Sequence, residues 1–110
     1  MKEQDGQEEY HRVLAGTQPE LSHHYEGNRL AQDGQLQRAI VKWEQSLKEA
    51  PNFAPTHYNL GLAYMQLNML PESAKYFAES VRLEPSSMDA WYGLGLVSFR
   101  QNHLEDARSA

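Results

Sequence analysis

The chain contains no cysteine. Disulfide bonds, thiolate catalysis and cysteine-ligated zinc are therefore excluded. The same absence does not choose a compartment. No apolar run approaches the ~18 residues needed to cross a bilayer, so no membrane insertion is expected. A basic excess is also missing. Ten Lys+Arg face fifteen Asp+Glu, for a formal net charge of -5. Nucleic-acid binders and proteins on anionic membrane surfaces usually carry a basic face, and this balance argues against both. The first nine residues, Met1 to Glu9, are polar and acidic, and predict no secretory signal there. Hydrophobic residues make up 40% of the chain, which points to a thin core in one small domain of 110 residues.

What the chain does have is a period. Gly27, Gly61 and Gly95 are spaced by 34 residues. Leu36, Leu70 and Leu104 keep that step, as do Ala39, Ser73 and Ala107. Gly34, Asn68 and Asn102 form another set, and His23, His57 and Trp91 one more. Trp43 pairs with Phe77, and Pro51 with Pro85. This many matched sets at one spacing define an internal repeat.

Each repeat reads as helix, turn, helix. In the middle one, Leu60, Ala63, Tyr64 and Leu67 recur at i, i+3, i+4 and i+7, a single apolar helical stripe. Asn68 tolerates the left-handed conformation that ends a helix. Pro71 suits the start of a second helix, where no backbone N–H is needed. Ala74, Phe77, Ala78 and Val81 then form the second stripe, and Pro85 closes it. The pattern predicts helices over residues 20–33, 36–49, 54–67, 70–83 and 88–101, with a further helix starting at 104. Gly61 and the small residues Ser73 and Ala74 let two helices approach, and Trp43 or Phe77 fills the space between pair and neighbour.

The chain resembles the tetratricopeptide repeat family over residues 20–110. That family's unit is about 34 residues with a W-x2-L-G-x2-Y … A-x3-F … P pattern. Trp91-Tyr92-Gly93-Leu94-Gly95 matches the opening, and His57-Tyr58-Asn59-Leu60-Gly61-Leu62-Ala63-Tyr64 matches it with His for Trp. Ser73, Phe77 and Pro85 complete the middle repeat, and Ala39, Trp43 and Pro51 the first. The resemblance implies an all-α fold, a right-handed solenoid of antiparallel helix pairs, with about two and a half units. These are an N-terminal arm over 1–19, unit 1 over 20–53, unit 2 over 54–87, and unit 3 over 88–110, truncated in its second helix. Tyr10, Val13 and Leu14 in the arm have the spacing of a short helix. Glu26 and Arg29 replace Leu60 and Ala63 of the middle unit, giving unit 1 the polar face of a capping repeat. No aromatic follows Ala107 at the place of Trp43 and Phe77, so Leu104 and Ala107 are expected to lack full cover.

Catalytic and metal chemistry finds little support. His23 and His24 are adjacent, so on a helix they diverge and do not chelate as an i, i+4 pair. His23 and His57 share the register position of Trp91 and read as partly buried packing residues. Glu8-Glu9 and Glu105-Asp106 read as solvated charge, the latter favourable near a helix start. Gly93-Leu94-Gly95 lacks the Gly-Lys-Ser/Thr of a phosphate loop, and no serine sits in a Gly-x-Ser-x-Gly elbow. No enzyme activity, cofactor or metal is expected.

In the family, the first helices of successive repeats line a concave groove that holds peptides. Carried over by position, the groove would take Leu21, His24, Tyr25, Asn28 and Gln32 from unit 1. Unit 2 would supply Tyr58, Asn59, Leu62, Met65 and Gln66, and unit 3 Asp89, Tyr92, Leu96, Phe99 and Arg100. Part of each apolar side chain is expected to serve the core as well. Asn28 and Asn59 match the asparagines of a subset that clamps a C-terminal carboxylate, but His24, Asp89 and Gly93 stand at its basic positions, which argues against such a clamp. The expected function is a scaffold that holds a peptide segment of a partner protein. The alternatives are a substrate-recruiting region of a larger enzyme, and self-assembly through the unfinished third repeat.

Overall fold

A computed structural model describes residues 21–109, with side chains through His103. The arm over 1–19, and the burial of Leu104 and Ala107, lie outside what is described. The described residues form five α-helices and no strand: α1 (Ser22–Gln32), α2 (Leu36–Glu49), α3 (Ala54–Gln66), α4 (Leu70–Leu83) and α5 (Met88–Ser109). They fall into two compact units that divide after Pro51.

The first unit is the pair α1–α2. The turn between them is set by local chemistry. Gly34 adopts φ +80°, and the backbone N–H groups of Gly34 and Gln35 donate to Ala31 O (3.0 Å) and Leu30 O (2.9 Å). This crossed pair of bonds satisfies carbonyls that the helix end leaves open. The core of the pair is Leu21, Ala39, Ile40 and Trp43. Gly27 lies directly beneath the Trp43 indole, where a Cβ would sit 2.4 Å from Nε1.

The second unit is α3, α4 and α5. Its first turn repeats the same hydrogen bonds one period later: Asn68 N to Met65 O (3.0 Å) and Met69 N to Tyr64 O (2.8 Å), with Asn68 at φ 58°. Asparagine here does the work of glycine at 34. Asn68→Gly should therefore leave stability unchanged or raise it slightly. Asn68→Val should cost ~1–2 kcal/mol, because a branched Cβ crowds the following carbonyl in this conformation. Urea unfolding of the two variants checks this, and equal midpoints would show that the turn does not depend on the residue.

Proline closes both second helices in the same way. Ala50 before Pro51 and Glu84 before Pro85 adopt nearly identical backbone angles, φ -136°, ψ 74° and φ -138°, ψ 76°. The proline ring disfavours the helical region for the residue before it, so the helix stops there.

Phe77 is the centre of the second unit. It is fully buried, and both Gly61 of α3 and Gly93 of α5 lie against its ring. Leu70 and Val97 complete the cluster. Ser73 takes the place of the expected alanine and uses its hydroxyl. It donates to the carbonyl of Gly61 at 2.7 Å, tying α4 to α3.

Two expectations are corrected. The first is the break at Gln101-Asn102 and the new helix from Leu104. Instead α5 runs unbroken from Met88 to Ser109. Among the described non-glycine residues only Asn68 has positive φ, so Asn102 makes no reversal. A reversal gives up helical hydrogen bonds and is offset elsewhere in the chain by burying Trp43 or Phe77. The second correction concerns the slot shared by His23, His57 and Trp91. His57 is buried, with its ring 6.0 Å from that of Tyr76 on α4. Trp91 is half exposed, its indole N–H donating to the carbonyl of Pro85 at 2.7 Å. No helix among the described residues stands over it as α4 stands over His57.

Candidate peptide-binding face

In the first unit the expected groove residues divide between core and surface. Leu21 and His24 are buried in the helix pair and are not free to touch a ligand. The reason is a hydrogen-bond network around Trp43. The indole N–H donates to His24 O (3.1 Å) and Asn28 Oδ1 (3.0 Å), while the Asn28 amide lies 3.3 Å from His24 Nε2. Asn28 is thus committed to holding the indole over Gly27. Burial disfavours the imidazolium and pushes the His24 pKa down to about 4. Tyr25 is half-buried, edge-on to the His24 ring at 5.3 Å. Glu26, read as part of a polar face, lies 3.3 Å from Lys42, and His23 Nδ1 lies 2.7 Å from Glu49.

In the second unit the face is built from α3 and α5. Tyr58 on α3 is half-buried, its ring edge-on to Phe77 at 5.7 Å. Its phenol pKa is raised, first by burial and then by the negative charge of Asp89 on α5. Leu62 and Met65 follow Tyr58 along α3, partly buried against the Leu70–Phe77–Val97 cluster. They form a floor rather than free anchors. Asn59 and Leu96 are half-buried. Tyr92, Phe99 and Arg100 project from α5 and are exposed. The Phe99 ring lies 4.5 Å from that of His103. Fixed aliphatic floor and exposed aromatic knobs therefore share one unit, with Asp89 and Arg100 as its charges.

A second concavity was not legible in the sequence. It has a volume of about 320 Å³ and is lined by His57, Lys75, Tyr76, Ala78, Glu79 and Arg82. Its walls come from α4, where the sequence shows only an ordinary alternation of charge and small residues, and from His57 of α3. The Tyr76 ring stacks on Tyr64 at 5.6 Å, and Lys75 Nζ lies 5.9 Å from the Tyr76 ring centre. Arg82 hydrogen-bonds Glu79 at the rim, which holds the Glu79 carboxyl below its ordinary pKa. Among the described residues no three His, Asp or Glu side chains converge as metal ligands would. No described helix is long and apolar enough to cross a membrane.

Helix–turn–helix units at a 34-residue step, each seating an aromatic ring on a helical glycine, define an all-α helical repeat protein. Two family models match the chain, described as Tetratricopeptide repeat over residues 58–110 and TPR repeat over residues 27–68. The chain belongs to the tetratricopeptide repeat family. No curated protein matches it. Members of this family are generally protein–protein interaction modules and typically non-catalytic.

Proposed function

We propose that this chain is a non-catalytic scaffold that holds a peptide segment of a partner protein on the α3–α5 face of its second unit. The observation that carries this reading is the exposure of Tyr92 and Phe99 on α5, in the same unit as Tyr58, Leu62 and Met65 of α3, which are partly buried against the core cluster. Exposed aromatic residues next to a packed apolar floor are the usual anchors of an interface, because they bury much area with little loss of side-chain freedom. Leu96 continues the floor, and Asn59 and Arg100 supply polar contacts at its edge. Tyr25 and Asn28 stand at the matching positions of the first unit, where Asn28 keeps its structural hydrogen bonds. The ligand is an extended or helical peptide with apolar anchors. A carboxylate clamp is not part of the reading, since Asp89 and Gly93 stand where such a clamp needs cations.

The test is a peptide-array screen with the wild type and a Tyr58→Ala/Tyr92→Ala double variant, each checked for folding by circular dichroism. Bound peptides should lose about tenfold or more in affinity in the folded double variant. Binding should weaken only slightly at moderate salt, because few residues of the face are charged. Unchanged binding by the variant would move the ligand off this face. A steep salt dependence would count against apolar anchors.

A further inference from the structure

We propose that the concavity on the α3–α4 pair is a binding site for a small aryl carboxylate, a flat apolar ring system carrying one acid group. Lys75, Ala78, Glu79 and Arg82 line it from α4. They stand at i, i+3, i+4 and i+7, which makes one stripe along a single helix face. The stripe has a cation at each end, ~10 Å apart along the axis. Ala78 between them offers only a methyl group, so the middle of the stripe is low. His57 and Tyr76 complete the lining. Both rings are held in place: His57 is buried, and half-buried Tyr76 stacks on Tyr64 with the two rings 3° from parallel. A hollow of about 320 Å³ lies at the small end of the range for small-molecule sites, and suits a ring or two rather than a peptide segment.

Charge selects an anion. Lys75 and Arg82 face one carboxylate, Glu79, so the rim carries one positive charge in excess. Arg82 engages Glu79 through Nε, which leaves the terminal nitrogens of its guanidinium outside that bond. Lys75 and Arg82 are both exposed, so a ligand can reach their donors. A cationic ligand is disfavoured, because Lys75 Nζ already lies 5.9 Å from the centre of the Tyr76 ring, the seat such a ligand would take. One carboxylate matches the excess charge, and its two oxygens suit the planar fork of arginine. A phosphate dianion would exceed it beside Glu79. The hydrogen bond from Arg82 holds the Glu79 carboxyl below its ordinary range, so Glu79 stays ionised and opposes the ligand acid. None of the lining residues belongs to the peptide-binding face of α3 and α5, so the two readings fail separately.

The test is titration of the protein with naphthoate, followed by backbone amide NMR shifts. Shifts should centre on His57 and residues 75–82, with Kd on the order of 1 mM, as for a ligand of this size. Acetate, which lacks the rings, and naphthylmethanol, which lacks the acid, should each bind ~10-fold more weakly or worse. Lys75→Gln and Arg82→Gln should each raise Kd ~3-fold, whereas Glu79→Gln should lower it by about as much, since it removes the repulsion and releases Arg82. Ala78→Trp fills the hollow from an exposed position and should abolish binding, with circular dichroism confirming that each variant is folded. The Tyr58→Ala/Tyr92→Ala variant should bind naphthoate like the wild type. Shifts that are absent or centred elsewhere, naphthylmethanol binding as tightly as naphthoate, a Glu79→Gln variant that binds more weakly, or an Ala78→Trp variant that binds unchanged would each overturn the proposal.

Discussion

Gly61→Leu should destabilise the second unit by ~3 kcal/mol or more and lower its melting temperature by many degrees. The backbone of α3 at Gly61 lies against the Phe77 ring, and an added Cβ alone would stand 2.7 Å from it. The ring cannot retreat. It is fully buried, and Gly93 of α5 lies against the same ring, where an added Cβ would come within 2.5 Å. A leucine must therefore wedge α3 away from α4. That also breaks the Ser73 hydrogen bond to the Gly61 carbonyl. Overpacking in a closed core costs ~1–3 kcal/mol, occasionally more, and here it adds the loss of a buried hydrogen bond of ~1 kcal/mol. Gly95→Ala is the control. It places the same kind of change on α5 with open space above it, and should raise stability by ~0.5–1 kcal/mol through helix propensity alone. The comparison is made by thermal or urea unfolding. Coincident melts for Gly61→Leu and wild type would remove the packing role from that glycine. A loss in Gly95→Ala would show that something covers that position.

The second large effect is on pH. His24 has its pKa lowered to about 4 from 6.5 by burial. The folded state thus binds the proton less readily than the unfolded chain. The stability it carries is fully present above pH 6.5 and is lost as pH falls from 6.5 towards 4. The shift corresponds to roughly 3 kcal/mol at the limit, less where solvent reaches the ring. The Asn28 amide and the Tyr25 ring face the imidazole, and the Trp43 indole binds the His24 carbonyl. Burial is what disfavours the imidazolium. Protonation would turn Nε2 into a donor facing the Asn28 amide, and release Asn28 from the Trp43 indole. Urea unfolding at pH 7, 5.5 and 4.5 should show a steep decline in wild type. In His24→Gln the decline should be shallower, because only the carboxylates then titrate. Parallel pH profiles for the two proteins would show that His24 titrates as it does in water.

Much of the fold follows from signals that act within five or six residues. The helix ends are the clearest case. Gly34 and Asn68 permit a left-handed residue, the crossed hydrogen bonds close around it, and Pro51 and Pro85 stop the helices that follow. None of this needs a distant partner, so the 34-residue period locates α1 to α4 to within about two residues, the usual spread between definitions of a helix end. The close approach of helices at Gly61 was legible for the same reason, whereas the seating of Trp43 on Gly27 and of Phe77 on Gly61 came from the structure.

The rest depends on which neighbour is present, and periodicity is blind to that. Asn102 keeps the register of Gly34 and Asn68, yet α5 passes straight through it. Gly95 keeps the register of Gly27 and Gly61, yet among the described residues no ring lies against it, and Gly93, out of register, lies against Phe77. Trp91 and His57 share one position, and the larger and more apolar of the two is the exposed one. His24 and Asn28 hold groove positions in the repeat but were claimed by the Trp43 indole, whose N–H must find acceptors once it is buried. The sequence by itself determined the helices, their turns and the family, because those rest on backbone conformations chosen residue by residue. Only the tertiary structure decided which faces are covered, because burial is a property of pairs, and the same residue packs or projects according to what stands across from it.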